Sequence, residues 1–313
     1  MHDISVCTFG VTTSLCMERR FQQIEISDVG QNQTMNIAEL ENKARFIRQR
    51  IIDLTVVAGS GHVGGALSMT DVAVVLYYRI LQIDPSRPAW SERDRFVLSK
   101  GHGGLGLYPI LADRGYFPPE ELETYNKLDS RFGMHPDMLK IPGIEMSTGS
   151  LGHGLAVAIG MALAARYHGQ GYRVFVLMGD GECQEGTVWE AAITAAQYRL
   201  GNIVGVIDRN MYQVDGHTED LAALEPLAEK WRAFGWQAME VDGHDMSALV
   251  KLFDSLDPGL HRSQPQVVIA NTVKGRGVGF MERDGAAWHL GSLTDDQVEE
   301  ARRDIASMKV TTR

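Results

Sequence analysis

The sequence predicts an α/β fold in which a parallel β-sheet is flanked by helices on both faces. Residues 173–178 and 202–207 are short apolar runs rich in β-branched and large side chains. An alanine-rich segment, residues 187–200, lies between them and has the composition of a helix. Strand, turn, helix and strand in this order are typical of a βαβ unit. Further apolar runs alternate with helical patterns before and after this unit, which favours one parallel sheet.

The other elements follow from apolar periodicity and from turn residues. Residues 36–57 repeat apolar side chains at spacings of three and four, with Asn36 as a suitable N-cap, and predict the first helix. A glycine-dense loop over residues 58–65 is expected to follow it. Further helices are predicted over residues 68–81, 105–114, 155–167, 224–234 and 246–256, and further strands over residues 93–99, 236–241 and 266–271.

The chain is expected to comprise one domain and two terminal segments. Residues 1–35 show no sustained periodicity and no signal-peptide pattern, so we expect a loose N-terminal arm. Residues 36–295 are expected to form the domain. Residues 296–313 are expected to form a polar C-terminal tail with helical character.

Composition and charge exclude several classes of protein. The chain has 313 residues, of which 44% are hydrophobic, and this suffices for the core of one large α/β layer. The net charge of −10 argues against a nucleic-acid or acidic-membrane partner, and no apolar run is long enough for a transmembrane helix. The three cysteines, Cys7, Cys16 and Cys183, lack metal-ligand spacing and indicate a reducing, cytoplasmic setting.

Polar residues crowd the carboxyl ends of the two central strands, the edge at which open α/β sheets bind ligands. Gly179 and Gly181 flank Asp180, and glycine lets the backbone turn sharply and a ligand approach closely. The next helix points its positive end toward this edge and favours a phosphate there. Asp180, Asn210 and a carbonyl near Tyr212 can supply oxygen ligands to Mg²⁺. The alternative is a helix-capping aspartate and an asparagine in an ordinary turn.

This glycine-flanked aspartate followed by Asn210 resembles the diphosphate-binding motif of thiamine diphosphate enzymes. The surrounding residues 181–186, with Glu190, are similar to transketolases in particular. The resemblance covers about residues 36–295 and implies thiamine diphosphate as cofactor with Mg²⁺, or Ca²⁺ or Mn²⁺ in its place. It assigns the metal to Asp180, Asn210 and Tyr212, and the cofactor to His102, Gly149, Ser150, Leu151, Asp180, Gly181, Glu182, Asn210 and His289.

Four histidines lie in segments that are similar to transketolase motifs, namely His62, His102, His135 and His289. The resemblance implies that His102 contacts the diphosphate and that His135 contacts the substrate. It also implies that His62 and His289 face both cofactor and substrate. Histidine is suited to moving hydroxyl protons at neutral pH, so all four are expected to be catalytic as a group. The local alternatives are a surface loop for His62, a helix cap for His102 and a buried pair with Trp288 for His289.

Some positions depart from the family pattern or allow a second interpretation. Val63 stands where transketolases usually have proline, and Leu290 is an additional residue after the last histidine. His153 stands where many relatives have glutamine and is expected to be structural. Glu185 and Glu190 resemble residues at the family's subunit contact, and the alternative is exposed or capping carboxylates at a helix start.

Full-length transketolases continue into a pyrimidine-binding domain and a C-terminal domain. The resemblance therefore implies the N-terminal subunit of a split transketolase, which transfers a two-carbon ketol unit from a ketose phosphate to an aldose. The expected partner is a separate chain with the pyrimidine domain, in a heterotetramer with two copies of each chain. The alternatives are the α chain of an oxo-acid dehydrogenase, an enzyme like deoxyxylulose phosphate synthase, and a non-catalytic cofactor-binding or regulatory module.

Overall fold

The computed structural model describes residues 35–311, so that nearly all of the predicted N-terminal arm lies outside the described residues. The described part contains a parallel five-stranded sheet with the strand order β1-β2-β3-β5-β4. The strands are β1 Arg95–Leu98, β2 Val174–Gly179, β3 Ile203–Arg209, β4 Gln237–Asp242 and β5 Gln266–Asn271.

The helices are α1 Ile37–Ala58, α2 Val63–Ser68, α3 Thr70–Val75, α4 Gly104–Asp113, α5 His153–His168, α6 Gly186–Gln197, α7 Thr218–Leu221, α8 Leu227–Ala233, α9 Met246–Ser255, α10 Gly279–Arg283 and α11 Asp295–Ser307. A π-helical turn, Leu76–Ile80, continues α3, and short 3₁₀ turns lie at Gly101–Gly103, Pro119–Thr124 and Gly181–Gln184. None of the helices within residues 35–311 is long and apolar enough to cross a membrane.

Helices cover both faces of the sheet, which confirms the predicted fold class. Every residue of β2 and β3 is buried, as expected for the central strands of a parallel sheet. Alternate side chains of β2 enter two separate cores, with Phe175 and Leu177 on one face and Val174 and Val176 on the other. Helices α1, α2, α3, α4, α9 and α11 contribute to the first core, and α5, α6 and α8 to the second.

The register of the sheet places three strand ends at one edge. Gly179, the last residue of β2, pairs with Asp208 of β3, and Arg209 pairs with Asn271 at the end of β5. The segments that leave these strands therefore start side by side. They carry most of the polar residues singled out in the sequence.

The prediction of a loop over residues 58–65 is wrong for its last three residues. They form the first turn of α2, although Gly64 and Gly65 are weak helix formers. A Cβ atom at Gly64 would lie 2.6 Å from the carbonyl oxygen of Trp288. Glycine is needed there because another segment packs directly on the helix backbone, and not because the chain bends.

Helix α11 lies largely within the predicted C-terminal tail. Its Thr294 N-cap forms a capping box with Gln297, and its apolar face buries Val298, Ala301 and Ile305 in the first core. The helix packs along α1. This segment therefore contributes to the core of the domain.

Candidate functional site

A cavity of about 280 Å³ opens at the carboxyl edge of the sheet. The segments after β1, β2 and β3 converge on it, as the topology of a parallel sheet requires. Of the twelve residues predicted for the site, all but Ser150 line this cavity. The lining residues from that set are His62, His102, His135, Gly149, Leu151, Asp180, Gly181, Glu182, Asn210, Tyr212 and His289.

Asp180 lies at the start of the turn after β2 and is almost completely buried. Its Oδ1 accepts a hydrogen bond from the Gly181 amide at 2.9 Å. Its Oδ2 accepts from the Met211 amide at 2.7 Å and from the Arg209 guanidinium at 3.1 Å. Burial raises the pKa of Asp180 and the charge of Asp208 adds to this, while Arg209 opposes both. The carboxylate is thus held in one orientation at the cavity wall.

Asn210 and Tyr212 add two further oxygen atoms beside Asp180. The Asn210 Oδ1 accepts a hydrogen bond from the Tyr212 amide at 3.1 Å, and the Tyr212 carbonyl lies 3.4 Å from the Lys274 ammonium. Within residues 35–311 no group of three or more His, Cys, Asp or Glu side chains is arranged around a metal site. One carboxylate, one amide and one carbonyl suit a hard cation that completes its shell with ligand oxygens.

The four predicted histidines form one cluster. The ring centre of His62 lies 5.3 Å from His102, 6.1 Å from His135 and 5.4 Å from His289. Burial, together with the charges of nearby groups such as Lys100, lowers the pKa of His62 to about 4. Burial is also the main cause that lowers the pKa of His289 to about 3 and that of His102 well below its usual range. These three rings are therefore neutral at pH 7.

Lys274 is a site residue that the sequence analysis missed. Its Nζ lies 2.9 Å from Nδ1 of His289, and its side chain is buried in the cavity wall. Burial, together with the charge of Lys100, lowers the pKa of Lys274 to about 8. No carboxylate lies within salt-bridge distance of Lys274 in the described part of the chain. A buried cation without a carboxylate partner attracts an anionic ligand.

The cavity fits an anionic ligand that carries a cation of its own. Besides Lys274, Nδ1 of His62 is buried without a hydrogen-bond partner among the described residues. Backbone approach is close as well, because a Cβ atom at Gly101 would lie 2.6 Å from the Gly149 amide nitrogen. Gly149 itself has a φ of 147°, which side-chain-bearing residues rarely adopt. A diphosphate with a bound metal ion matches these features.

Glu182 lines the cavity, but its carboxylate is used inside the protein. Its Oε1 accepts hydrogen bonds from Ser99 and from the Gly152 amide, and its Oε2 accepts from the Gly179 amide at 3.1 Å. Glu182 thus ties the loop before α5 to the end of β2. Ser150 is exposed, and its hydroxyl lies 3.3 Å from His153, outside the cavity lining.

The two glutamates expected at a subunit contact, Glu185 and Glu190, are both exposed. Glu185 is the N-cap residue of α6 but makes no capping hydrogen bond, so the structure gives no support to a capping role for it. Glu185 also lines the cavity. Either side chain is accessible to a second chain.

Comparison with known proteins places the chain among thiamine diphosphate enzymes. Residues 40–309 match the family model "Transketolase, thiamine diphosphate binding domain". The chain is 41% identical over 272 residues to one of the subunits of the apulose-4-phosphate transketolase of Phocaeicola vulgatus, covering 87% of this chain and 95% of that protein. It is 42% identical over 267 residues to the 6-deoxy-6-sulfo-D-fructose transketolase subunit SqwG of a Clostridium species, covering 85% of this chain and 96% of that protein.

Long transketolases match over less than half of their length. Human transketolase is 36% identical over 269 residues, which are 86% of this chain and 42% of the human protein. The crystal structure of transketolase from Campylobacter jejuni superposes with a TM-score of 0.81 at 30% identity, covering 87% of this chain and 43% of that one.

Proposed function

The chain belongs to the transketolase family, and we propose that it is one subunit of a two-chain transketolase that moves a two-carbon ketol unit from a ketose to an aldose. The main evidence for the proposal is the share of each relative's length that this chain covers. Relatives that match over 95% and 96% of their length are named as transketolase subunits, whereas the human enzyme matches over 42%. The family match favours transketolase over the oxo-acid dehydrogenase and deoxyxylulose phosphate synthase alternatives.

The metal ion of the proposed site is Mg²⁺, or Ca²⁺ or Mn²⁺ in its place. Asp180, Asn210 and the Tyr212 carbonyl would hold it, because their oxygens line one wall of the cavity. Gly181, His102 and Lys274 would hold the diphosphate, since they offer an amide, a ring nitrogen and an ammonium there. Gly149 and Leu151, which also line the cavity, would contact the cofactor. The Ser150 hydroxyl lies beside His153 and the Glu182 carboxylate accepts hydrogen bonds from backbone amides, so the geometry does not favour a cofactor contact through either side chain.

When bound, thiamine diphosphate would supply an electron-accepting ring, and the residues of this chain would orient the reactants around it. A neutral imidazole carries one N–H donor and one acceptor, so His62, whose Nδ1 has no partner among the described residues, can exchange a proton with a sugar hydroxyl. The Lys274 ammonium donates to Nδ1 of His289, and the ring proton of His289 therefore sits on Nε2. His289 then acts first as a hydrogen-bond donor. His102 and His135 complete the group.

A partner chain would close the cavity and carry the pyrimidine domain. Two apolar side chains at the cavity are exposed: Val214, which lines it, is 64% exposed, and Leu290, next to the lining residue His289, is 51% exposed. Large apolar side chains beside a polar site are typical of a surface that another chain covers. A heterotetramer with two copies of each chain, located in the cytoplasm, is the assembly that we propose.

The substrates would be ketose donors and aldose acceptors with an anionic group. One relative is named for apulose 4-phosphate and another for 6-deoxy-6-sulfo-D-fructose. For this chain we propose phosphorylated sugars first, and branched or sulfonated sugars next. Residues that recognise the acceptor would lie largely on the partner chain.

The direct test is ketol transfer with a panel of ketose phosphates and one sulfonated ketose. The chain is assayed alone and with the product of the neighbouring gene, in the presence of thiamine diphosphate and Mg²⁺. Activity only in the mixture is the expected result. Cofactor binding without turnover in either sample would contradict the transketolase proposal and favour a non-catalytic cofactor-binding module.

Asp180→Ala tests the metal site separately. Loss of the carboxylate should abolish the Mg²⁺-dependent thermal stabilisation that thiamine diphosphate gives the wild type. Asp220→Ala is the matched control, because it removes the same charge from an exposed position. Equal stabilisation of Asp180→Ala and wild type would contradict the assignment of the metal site.

A further inference from the structure

Asp208 is a completely buried carboxylate beneath the cavity, at the carboxyl end of β3. Its Oδ2 accepts hydrogen bonds from Lys100 at 2.5 Å, from Ser68 at 2.6 Å and from the Asn210 amide at 3.0 Å. Its Oδ1 accepts from Thr272 at 2.5 Å. The donors come from four different segments, so the carboxylate has no freedom to rotate.

The groups around the Asp208 carboxylate offer it donors. The Lys100 ammonium and the Ser68 hydroxyl face Oδ2, and the Thr272 hydroxyl faces Oδ1. Both oxygens of Asp208 therefore act as hydrogen-bond acceptors. Any side chain that contacts it must contribute a donor.

This requirement determines which way the Asn210 amide faces. Asn210 follows the last residue of β3, and its amide lies against the Asp208 carboxylate at 3.0 Å. The NH₂ group of Asn210 must face Asp208, because two oxygens in contact would repel each other. The amide oxygen then lies away from Asp208, where it accepts from the Tyr212 amide and keeps a second lone pair.

We propose that Asp208 is a positioning residue, which holds the Asn210 amide so that its oxygen and not its nitrogen is available to the cation. The inference rests on the proposed function, since that function calls for a metal ion beside Asp180 and Asn210. Asp208 itself does not contact the cation. Outer-shell partners of this kind typically change metal affinity by about 10- to 100-fold when they are replaced.

The contact with Asp208 predicts that aspartate at position 210 would bind the cation less well than asparagine. Aspartate is in general a good ligand for Mg²⁺, but Asn210→Asp would place two carboxylates about as close as the 3.0 Å that now separates Asn210 Nδ2 from Asp208 Oδ2. The new side chain would have to rotate away or share a proton with Asp208. The exchanged pair, Asp208→Asn with Asn210→Asp, restores one carboxylate and one amide at unchanged net charge.

The experiment uses the two-chain complex at saturating thiamine diphosphate and measures the binding of Mg²⁺, and separately of Ca²⁺, by isothermal titration. Asp208→Asn and Asn210→Asp should each weaken Mg²⁺ binding by about 10- to 100-fold, and the exchanged pair should recover most of the loss. With Ca²⁺, whose coordination is more flexible, the losses should be smaller. Thr272→Val is the matched control. It removes a hydrogen bond to Oδ1 of Asp208 and leaves the oxygen facing Asn210 untouched, so the ratio of the Mg²⁺ and Ca²⁺ affinities should stay at the wild-type value.

The melting temperature of each variant separates positioning from folding. A purely structural role of Asp208 would lower the melting temperature and reduce binding equally with both ions, which would overturn the proposal. An exchanged pair that binds no better than the weaker single variant would also overturn it. If Asp208→Asn does not fold, Asn210→Asp alone still decides, because wild-type Mg²⁺ affinity in that variant would refute the inference. Absence of Mg²⁺ binding in the wild type would overturn both the proposed function and this inference.

Discussion

Replacement of Arg48 should reveal how much the fold depends on one buried ionic network. Arg48 lies on α1 and is 1% exposed, and two of its nitrogens contact the Asp71 carboxylate at 2.8 and 2.6 Å. His244 reaches the same carboxylate at 2.7 Å, and its other ring nitrogen accepts a hydrogen bond from the Val273 amide. Arg48→Met fills a similar volume but leaves the buried Asp71 without its main counter-charge.

The expected loss of unfolding free energy is about 3–5 kcal/mol, the usual cost of removing one partner of a buried ion pair. For a domain of this size that loss lowers the melting temperature by roughly 5–9 °C. The matched control is Arg50→Met, two residues along the same helix. Arg50 contacts Asp53 at 3.1 Å with both side chains about one-third exposed, and such pairs contribute about 0–1 kcal/mol.

Urea unfolding followed by circular dichroism gives the free energy of unfolding of both variants, and the two values are compared with each other. A second variant, Arg48→Met with Asp71→Leu, should recover part of the loss, because replacing both partners removes the unpaired charge. If Arg48→Met loses no more stability than Arg50→Met, the buried network does not stabilise the fold. If the double variant is less stable than Arg48→Met alone, the unpaired carboxylate is not the cause of the loss.

Two further predictions concern packing and pH. In α5, Gly154→Ala should destabilise the chain by about 1–3 kcal/mol, because the new methyl group would lie 2.8 Å from the Ser99 Cα atom. A methyl group at Gly160 of the same helix meets nothing within 4 Å, so Gly160→Ala should stabilise the helix by about 0.5–1 kcal/mol. Equal melting temperatures for the two alanine variants would contradict this packing. Below pH 6.5 the unfolded chain protonates His62 and His289. The folded chain keeps His62 neutral down to about pH 4 and His289 neutral down to about pH 3. The free energy of unfolding should therefore fall as the pH drops below 6.5. The melting temperature measured between pH 7 and pH 4 tests the direction of this change. If a variant with both His62→Gln and His289→Gln keeps the pH dependence of the wild type, the prediction is wrong.

Most of the fold could be predicted because its signals are local. The apolar periodicity of α1 and the continuous apolar runs of β2 and β3 reflect burial on one face or on both faces, and burial is encoded residue by residue. The first turn of α2 was predicted as a loop because its glycines resemble a turn. Their cause lies in the backbone of Trp288, more than two hundred residues away in the sequence, which no local pattern can report.

The convergence of the predicted site residues was also within reach of the sequence. Asp180 and Asn210 each follow a strand, and parallel strands bring their carboxyl ends to one edge. The sequence by itself therefore determined the fold class, the edge of the sheet at which the cavity opens and eleven of the residues that line it.

Only the tertiary structure decided how these residues are held and charged. It placed Lys274 against His289 without a carboxylate partner, turned the Glu182 carboxylate toward backbone amides, and set Asp208 under the amide of Asn210. Each of these features depends on hydrogen bonds, desolvation or charges between segments that are distant in the chain. Hydrogen-bond direction and pKa are properties of such an environment and not of a residue type, and for that reason they emerge only when the chain is folded.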